Sequence, residues 1–371
     1  MIRLLHIADV HIGASLSGFT AHSSDRQEHI RAAFKRLPSL AEEHGAIGLL
    51  VAGDLFDKGE PSAEDRSMVR EVFRLLDEQG CGVFVVPGNH DSVTVKPNPY
   101  QESLGGARLF LGPEFETAQL ESGSEIIRIH GFAFNPDHCP RPLETFERSE
   151  IPGIDIVLMQ ASLDMTDHWK GSLNNYSPTQ GELGALEADY VALGDYHRPR
   201  RPEEFQAGLT ACYSGSFAAV RRSESGPRGV ILVEFEGGDV RTRLLPSEVP
   251  QVIELCINLS GLEDQAAVEE QIKSQIPKNA LPRLTLEGTA EFKLDSENLR
   301  IALQARYGFA VVKDRSWYIE STQLAQLEES DTIAGHLVRV AKKRMSEATD
   351  EKTERGLEEG LRQALAALEV M

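Results

Sequence analysis

The stretch ADYVALGDYH, residues 188–197, closes a short apolar run with a glycine and then presents Asp195 and His197. Side chains two positions apart in an extended chain point to the same face. A carboxylate and an imidazole so placed have the spacing of a pair of metal ligands. Alone, the pair also fits a polar loop after a buried strand. The same event recurs along the chain, and the recurrence makes it a fold signal.

Residues 2–8, IRLLHIA, are of strand length and end at Asp9-Val10-His11. A helix is expected from about Arg26 to His44, with Ile30, Ala33, Phe34, Leu37 and Leu40 at three- and four-residue steps. The run from Ile47 to Ala52 ends in Gly53-Asp54-Leu55-Phe56-Asp57, and a second amphipathic helix is expected from Ala63 to Gln79. A third strand, Val83 to Val86, breaks at Pro87-Gly88 and presents Asn89-His90-Asp91. Strands alternating with helices, each ending in ligand-type residues, predict an α/β sheet with its site at the strand ends.

Residues 92–125 read as long loops with a short strand. EIIRIHGFAF, IDIVLMQ (154–160, ending at Gln160) and 188–197 are further strands, and GVILVEF with VRTRLLP is a hairpin through Gly237-Gly238. Pro246 and Pro250 mark a boundary, after which strand and helix alternate again to about residue 322. From Ser330 the pattern is helical, with Ile333, Leu337, Val340 and Ala341 in one segment and Leu357, Leu361, Leu365 and Leu368 in another.

A length of 371 residues suggests two or three domains. The net charge of -20 speaks against a generally basic nucleic-acid coat, but not against a local basic groove or a metal site. Cys81, Cys139, Cys212 and Cys256 lie far apart with no CxxC pair, and are expected as buried thiols in a reducing compartment. The N-terminal run is too short and too soon charged for a signal peptide, and no stretch approaches the roughly 18 apolar residues of a membrane span. A cytoplasmic protein with no membrane association is expected.

Taken in order, DVH at 9–11, GDLFD at 53–57, GNHD at 88–91, Gln160 and GDYH at 194–197 resemble the calcineurin-like metallophosphoesterases. The Tyr213-Ser214-Gly215-Ser216 turn, the cap-like unit and the helical tail narrow the resemblance to the SbcD-type DNA repair nucleases. It implies a four-layer αββα sandwich over 1–248, a small α/β capping domain over 249–322 and a helical segment over 323–371.

The resemblance implies two divalent ions. One would be held by Asp9, His11, Asp54 and His197, with Asp54 bridging to a second held also by Asn89 and residues 160 and 195. Two ions a few Å apart clamp a phosphoryl group and turn a bound water into hydroxide. Oxygen-rich ligands suit Mn²⁺, with Mg²⁺ or Fe²⁺ as substitutes. His90 is carried over as the residue that steadies the phosphate and protonates the leaving oxygen, with Asp91 orienting its other ring nitrogen. Asp57 is either a supporting carboxylate or a helix cap.

The chain departs from the pattern at two places: Gln160 and Asp195 stand where histidines are expected. Both still offer oxygen, which would make the second site harder and more anionic; the opposite reading is a weakened site. Asp164 and His168 are possible substitute ligands or solvated loop residues. Arg198, Arg200 and Arg201 either meet backbone phosphates or form a solvated charge cluster, and His6 reads as a sheet histidine.

The function expected is that of a metal-dependent exonuclease and endonuclease subunit acting on DNA in double-strand break repair. By resemblance it works with an SbcC-type ABC ATPase docked on the C-terminal helices, and pairs as a homodimer. The alternatives are a phosphodiesterase for nucleotides or other small phosphoesters, and a metal-depleted, non-catalytic scaffold subunit.

Overall fold

The computed structural model describes residues 1–16, 18–19, 23–164, 176–290, 292–318 and 321–368. It divides between Gln251 and Val252 into two compact units, each treated by itself.

The first unit begins with β1 (Ile2–Ile7), α1 (Ser23–Lys35), α2 (Leu37–His44), β2 (Gly48–Ala52), α3 (Ala63–Glu78) and β3 (Gly82–Val86). It continues with β4 (Arg108–Leu109), β5 (Glu116–Ser122), β6 (Glu125–Gly131), β7 (Ile154–Gln160), α4 (Gln180–Gly184) and β8 (Tyr190–Gly194), and closes with β9 (Ala211–Tyr213), β10 (Gly229–Glu236) and β11 (Asp239–Pro246). One sheet runs β11-β10-β1-β2-β3-β4 and the other β5-β6-β7-β8-β9. Within them β1 to β4 and β6 to β9 are parallel, while the hairpin β10–β11 returns antiparallel beside β1.

The two sheets share one core. Leu4, Leu50, Phe84 and Val86 of the first meet Ile127, Ile129, Ile156, Leu158, Tyr190 and Ala192 of the second. Alternate residues of the second sheet, Val157, Met159, Val191 and Leu193, face the other way, onto Leu183 and Leu186 in and after α4. A strand buried on both faces needs an unbroken apolar run, which is why IDIVLMQ shows no polar alternation. On the outer side of the first sheet, α1, α2 and α3 touch one another and α3 lies on β3. The order is therefore helix, sheet, sheet, helix: the αββα sandwich.

The helix expected over 26–44 is in fact two. Pro38 has no amide hydrogen to continue the ladder and sits in the first turn of α2, where that loss costs nothing. The Gly237-Gly238 hairpin has both glycines at positive φ, 61° and 91°, as a two-residue turn requires. His6 is a fully buried sheet histidine whose Nδ1 lies 3.0 Å from the Tyr190 hydroxyl. Cys81, Cys139 and Cys212 are buried as expected, but Cys256 is exposed, because it points away from the core side of its strand.

The second unit holds β12 (Val252–Asn258), α5 (Gln265–Gln275), β13 (Leu281–Glu287), β14 (Thr289–Ala290), α6 (Ser296–Tyr307), β15 (Val311–Asp314) and β16 (Trp317–Tyr318). Three helices follow, α7 (Ser321–Glu329), α8 (Ile333–Ser346) and α9 (Glu351–Ala367). β12, β13 and β15 form a parallel sheet over a core that includes Ile257, Leu284, Val268 and Leu299. Trp317, Ala334, Val338, Leu361 and Leu365 make a separate core for the terminal helices. No helix among the described residues is long and apolar enough to cross a membrane.

Candidate active site

The carboxyl ends of β1, β2, β3, β7 and β8 converge on one place. The segment after β1 is zipped to the segment after β2 by Asp9 N to Gly53 O (3.1 Å), His11 N to Asp54 O (3.0 Å) and Ile12 N to Leu55 O (3.0 Å). Asp9, His11, Asp54 and Asp195 all hold positive φ, at 49°, 50°, 48° and 91°. Each such residue costs about 1–3 kcal/mol, and such strain gathers where function demands a particular side-chain direction.

Two glycines explain the repeated Gly-Asp. A Cβ at Gly194 would lie 1.7 Å from the Ala52 carbonyl oxygen, and one at Gly53 1.9 Å from Gln160 Oε1. The two sheets close on each other at this end with no room for a side chain. The aspartates that follow are thereby brought to opposite walls of one cleft.

Asp9, His11 and His197 each place a ligand atom within 4.8 Å of the others, as do His11, Asp54 and His90. His11 Nε2 stands 3.2 Å from His197 Nε2 and 3.7 Å from Asp54 Oδ2. Both Asp9 oxygens accept from the Asp195 amide at 3.1 Å. Across the cleft, Gln160 Nε2 donates to Asn89 Oδ1 at 3.2 Å, and Gln160 Oε1 is buried with no hydrogen-bond partner. Ser162 Oγ donates to Asp195 Oδ2. All seven residues expected as ligands, Asp9, His11, Asp54, Asn89, Gln160, Asp195 and His197, lie at these strand ends.

His90 stands at the mouth, its side chain 39% exposed and its ring edge-on to His11 at 4.6 Å. Its backbone N–H donates to Asp54 Oδ1 (2.9 Å) and its Nδ1 lies 2.9 Å from the Asp57 carbonyl. Asp57, not Asp91, is therefore what orients the imidazole, and the expectation for Asp91 is corrected. Asp91 turns inward and accepts from Gly88 N (2.7 Å), Phe56 N (3.0 Å) and the Tyr100 hydroxyl (2.6 Å). It ties the loop after β3 to the loop after β2. Asp57 also places Oδ1 3.2 Å from His11 Nδ1, so one residue steadies two imidazoles.

Asp164 accepts from the backbone and side chain of Gln180, at 3.2 and 2.5 Å, and is not brought to the cleft. His168 lies outside the described residues. Arg200 packs over Phe205 at 4.1 Å, whereas Arg198 lines the cleft with Arg221 and Arg228. The cleft has a volume of about 730 Å³.

Sequence reasoning missed Glu224. Its Oε1 meets His197 Nδ1 at 2.7 Å, and its Oε2 accepts from Val220 N (2.9 Å) and Ser216 Oγ (3.2 Å). Arg228 holds the His197 carbonyl and donates to Ser216 Oγ at 2.8 Å. The carboxylate fixes Nδ1–H on His197 and turns bare Nε2 into the cleft, as carboxylate partners of metal-bound histidines do.

Charge crowding marks the site. Burial, with the Asp195 charge and against the pull of His197, pushes the Asp9 carboxyl up to about 7. Burial likewise raises Asp195 to about 6. Asp54 is pushed well above the carboxylate range by burial and by Asp91 and Asp9. Burial lowers His11. Burial opposes the charged form of His197 too, but the Glu224 hydrogen bond and the Asp9 charge outweigh it and raise the group. Buried carboxylates that repel one another are stabilised by a cation, and the buried Gln160 oxygen lacks the partner a cation would be. The residues present fit divalent metal.

Comparison with known proteins agrees. The chain is 27% identical over 304 residues to the DNA double-strand break repair protein Mre11 of Haloferax volcanii, covering 78% of this chain and 62% of that protein. It is 24% identical over 362 residues to the protein of the same name from Methanopyrus kandleri, covering 91% and 74%. It is 26% identical over 276 residues to the SbcD component of the SbcCD nuclease of Bacillus subtilis, covering 65% and 68%. Residues 2–199, which carry all the strand-end stations, match the family model for calcineurin-like phosphoesterase, and the chain belongs to that family.

Proposed function

We propose that this chain is a metal-dependent DNA nuclease subunit that hydrolyses phosphodiester bonds in double-strand break repair, as exonuclease and endonuclease. The observation that carries the hydrolytic reading is the meeting of two ligand triads, Asp9-His11-His197 and His11-Asp54-His90, which share His11 at an open cleft with His90 at its mouth. The DNA reading rests on the relatives named as break-repair proteins and nuclease subunits.

We assign one ion to Asp9, His11, Asp54 and His197, and a second to Asp54, Asn89, Gln160 and Asp195. Bound ions supply a hydroxide nucleophile near neutral pH and neutralise the phosphoryl oxygens. The oxygen-dominated second set favours Mn²⁺, with Mg²⁺ or Fe²⁺ as substitutes. His90, with Nδ1 on the Asp57 carbonyl, keeps Nε2 for the proton that the leaving oxygen takes. Asp57 and Glu224 position the imidazoles, and Asp91 holds the two loops in register.

The residues after 252 supply the partner functions in this proposal: a capping domain to residue 322, then helices that dock the coiled coil of an SbcC-type ABC ATPase. Ile333 and Val340 of α8 are exposed and available to such a partner. The subunit is proposed to act as a homodimer in the cytoplasm.

A scaffold without its second ion is the competing reading, motivated by Gln160 and Asp195. The buried, unpartnered Gln160 oxygen favours a ligand role instead, since leaving such an atom unsatisfied costs about 1–3 kcal/mol. The test is Mn²⁺-dependent cleavage of linear duplex DNA beside turnover of a chromogenic phosphodiester. Asp54→Ala and His90→Ala are each expected to lower DNA cleavage at least ~100-fold. Full activity in both variants refutes the site, and turnover of the small ester alone moves the protein to the small phosphodiesterases.

A further inference from the structure

We infer that the cleft opens onto a second recess in which Tyr196 and Arg198 hold one unpaired nucleotide beside the phosphate under attack. The substrate class rests on the nuclease reading above; the recess itself rests on separate geometry.

Tyr196 lies between the two cleft residues Asp195 and His197, yet its own side chain turns out to solvent and is 50% exposed. The ring and Arg198 both line the metal cleft, and both also line a neighbouring recess of about 350 Å³ bounded by Leu163, Pro199 and Tyr213. That volume is in the range of small-ligand pockets. The two spaces share these two side chains as a common wall.

Behind Tyr196 the packing is rigid. Its ring lies 5.4 Å from that of Tyr213, which stacks on Phe205 at 6.1 Å and 23°, and Phe205 carries the Arg200 guanidinium at 4.1 Å. The Tyr213 hydroxyl is pinned, donating to Ala161 O (2.7 Å) and accepting from Leu163 N (3.0 Å). A ring held from behind and open in front binds a flat partner with little ordering cost. An open aromatic face next to arginine is how proteins take single-stranded nucleic acid.

Charge sets the direction. The cleft carries Arg198, Arg221 and Arg228, whereas in the recess the arginines Arg198 and Arg200 are offset by Asp164 and Glu204. The phosphate therefore sits on the Arg198 side, toward the cleft, and the base in the recess. A base stacked within a duplex has both faces covered, so only a single-stranded or frayed nucleotide can enter.

The test uses full-length, Mn²⁺-loaded protein and a single-stranded oligonucleotide that carries 2-aminopurine and phosphorothioate linkages, so that the ions stay in place while cleavage is suppressed. Quenching of the fluorescent base is expected in the wild type and in Tyr196→Phe. In Tyr196→Ala quenching should disappear, and affinity should fall about 5- to 100-fold, the range of one base–aromatic stack. Metal content of the variants, measured alongside, reports whether the motif is intact. Binding without quenching, or equal affinity in Tyr196→Ala with metal content unchanged, overturns the inference and leaves the nuclease reading standing. Failure of the wild type to bind any single strand while it still turns over a small phosphodiester overturns both.

Discussion

Replacing Glu224 by glutamine removes a charge and almost no volume, so it isolates what the carboxylate does for His197. In the structure Glu224 receives three hydrogen bonds, from His197 Nδ1 at 2.7 Å, Val220 N at 2.9 Å and Ser216 Oγ at 3.2 Å. Glutamine can keep the backbone contact through its carbonyl oxygen, but its amide then presents a donor to an imidazole nitrogen that is itself a donor. His197 must rotate or change tautomer, and either event takes Nε2 away from the point it shares with His11 Nε2. Loss of such a supporting carboxylate weakens metal binding about 10- to 100-fold, or about 1.4–2.7 kcal/mol. The assay is calorimetric titration of Mn²⁺ into metal-stripped protein at pH 8. Glu224 raises the affinity of His197 for protons, so its loss eases proton competition, and at pH 8 this opposing effect drops out. Affinity within twofold of wild type would show that the Glu224 charge does not hold His197 for metal.

Two further predictions follow from the same cleft. Without metal, Asp195 at about 6 and Asp9 at about 7 bind protons more tightly folded than unfolded, so they contribute stability below the ordinary carboxylate range and lose it as pH rises through 6 to 7. Metal replaces those protons, and the Tm gap between Mn²⁺-loaded and EDTA-treated protein should widen from pH 5 to pH 8; a constant gap counts against the buried carboxylates as ligands. Gly194→Ala places Cβ 1.7 Å from the Ala52 carbonyl oxygen and should cost about 3 kcal/mol or more in urea unfolding. Gly80→Ala, at φ 77° with nothing within 4 Å, should cost only about 1–2 kcal/mol; equal losses would contradict the close approach of the sheets.

The strand-end residues were legible because each sits at a change of pattern, where an apolar run stops at Gly or Pro-Gly and ligand-type side chains begin. Local chemistry and position coincide there. Glu224 was not legible, because it reaches His197 from a loop between β9 and β10 that carries no periodic signal. Asp91 was misread for a related reason: adjacency to His90 in sequence suggested adjacency in space, but the turn sends the two side chains in opposite directions. Only the fold brings Asp57 to His90 across 33 positions. The sheet order was likewise hidden, since nothing local says that β10 returns beside β1 and closes the first sheet.

Gln160 and Asp195 are proposed to complete a second metal position and not to have abolished it. Counting metal on the intact protein by native mass spectrometry, after reloading with Mn²⁺, tests this directly. Two Mn²⁺ per chain are expected in the wild type and one in Gln160→Leu, which removes the buried oxygen and little volume. One ion in both proteins would contradict it.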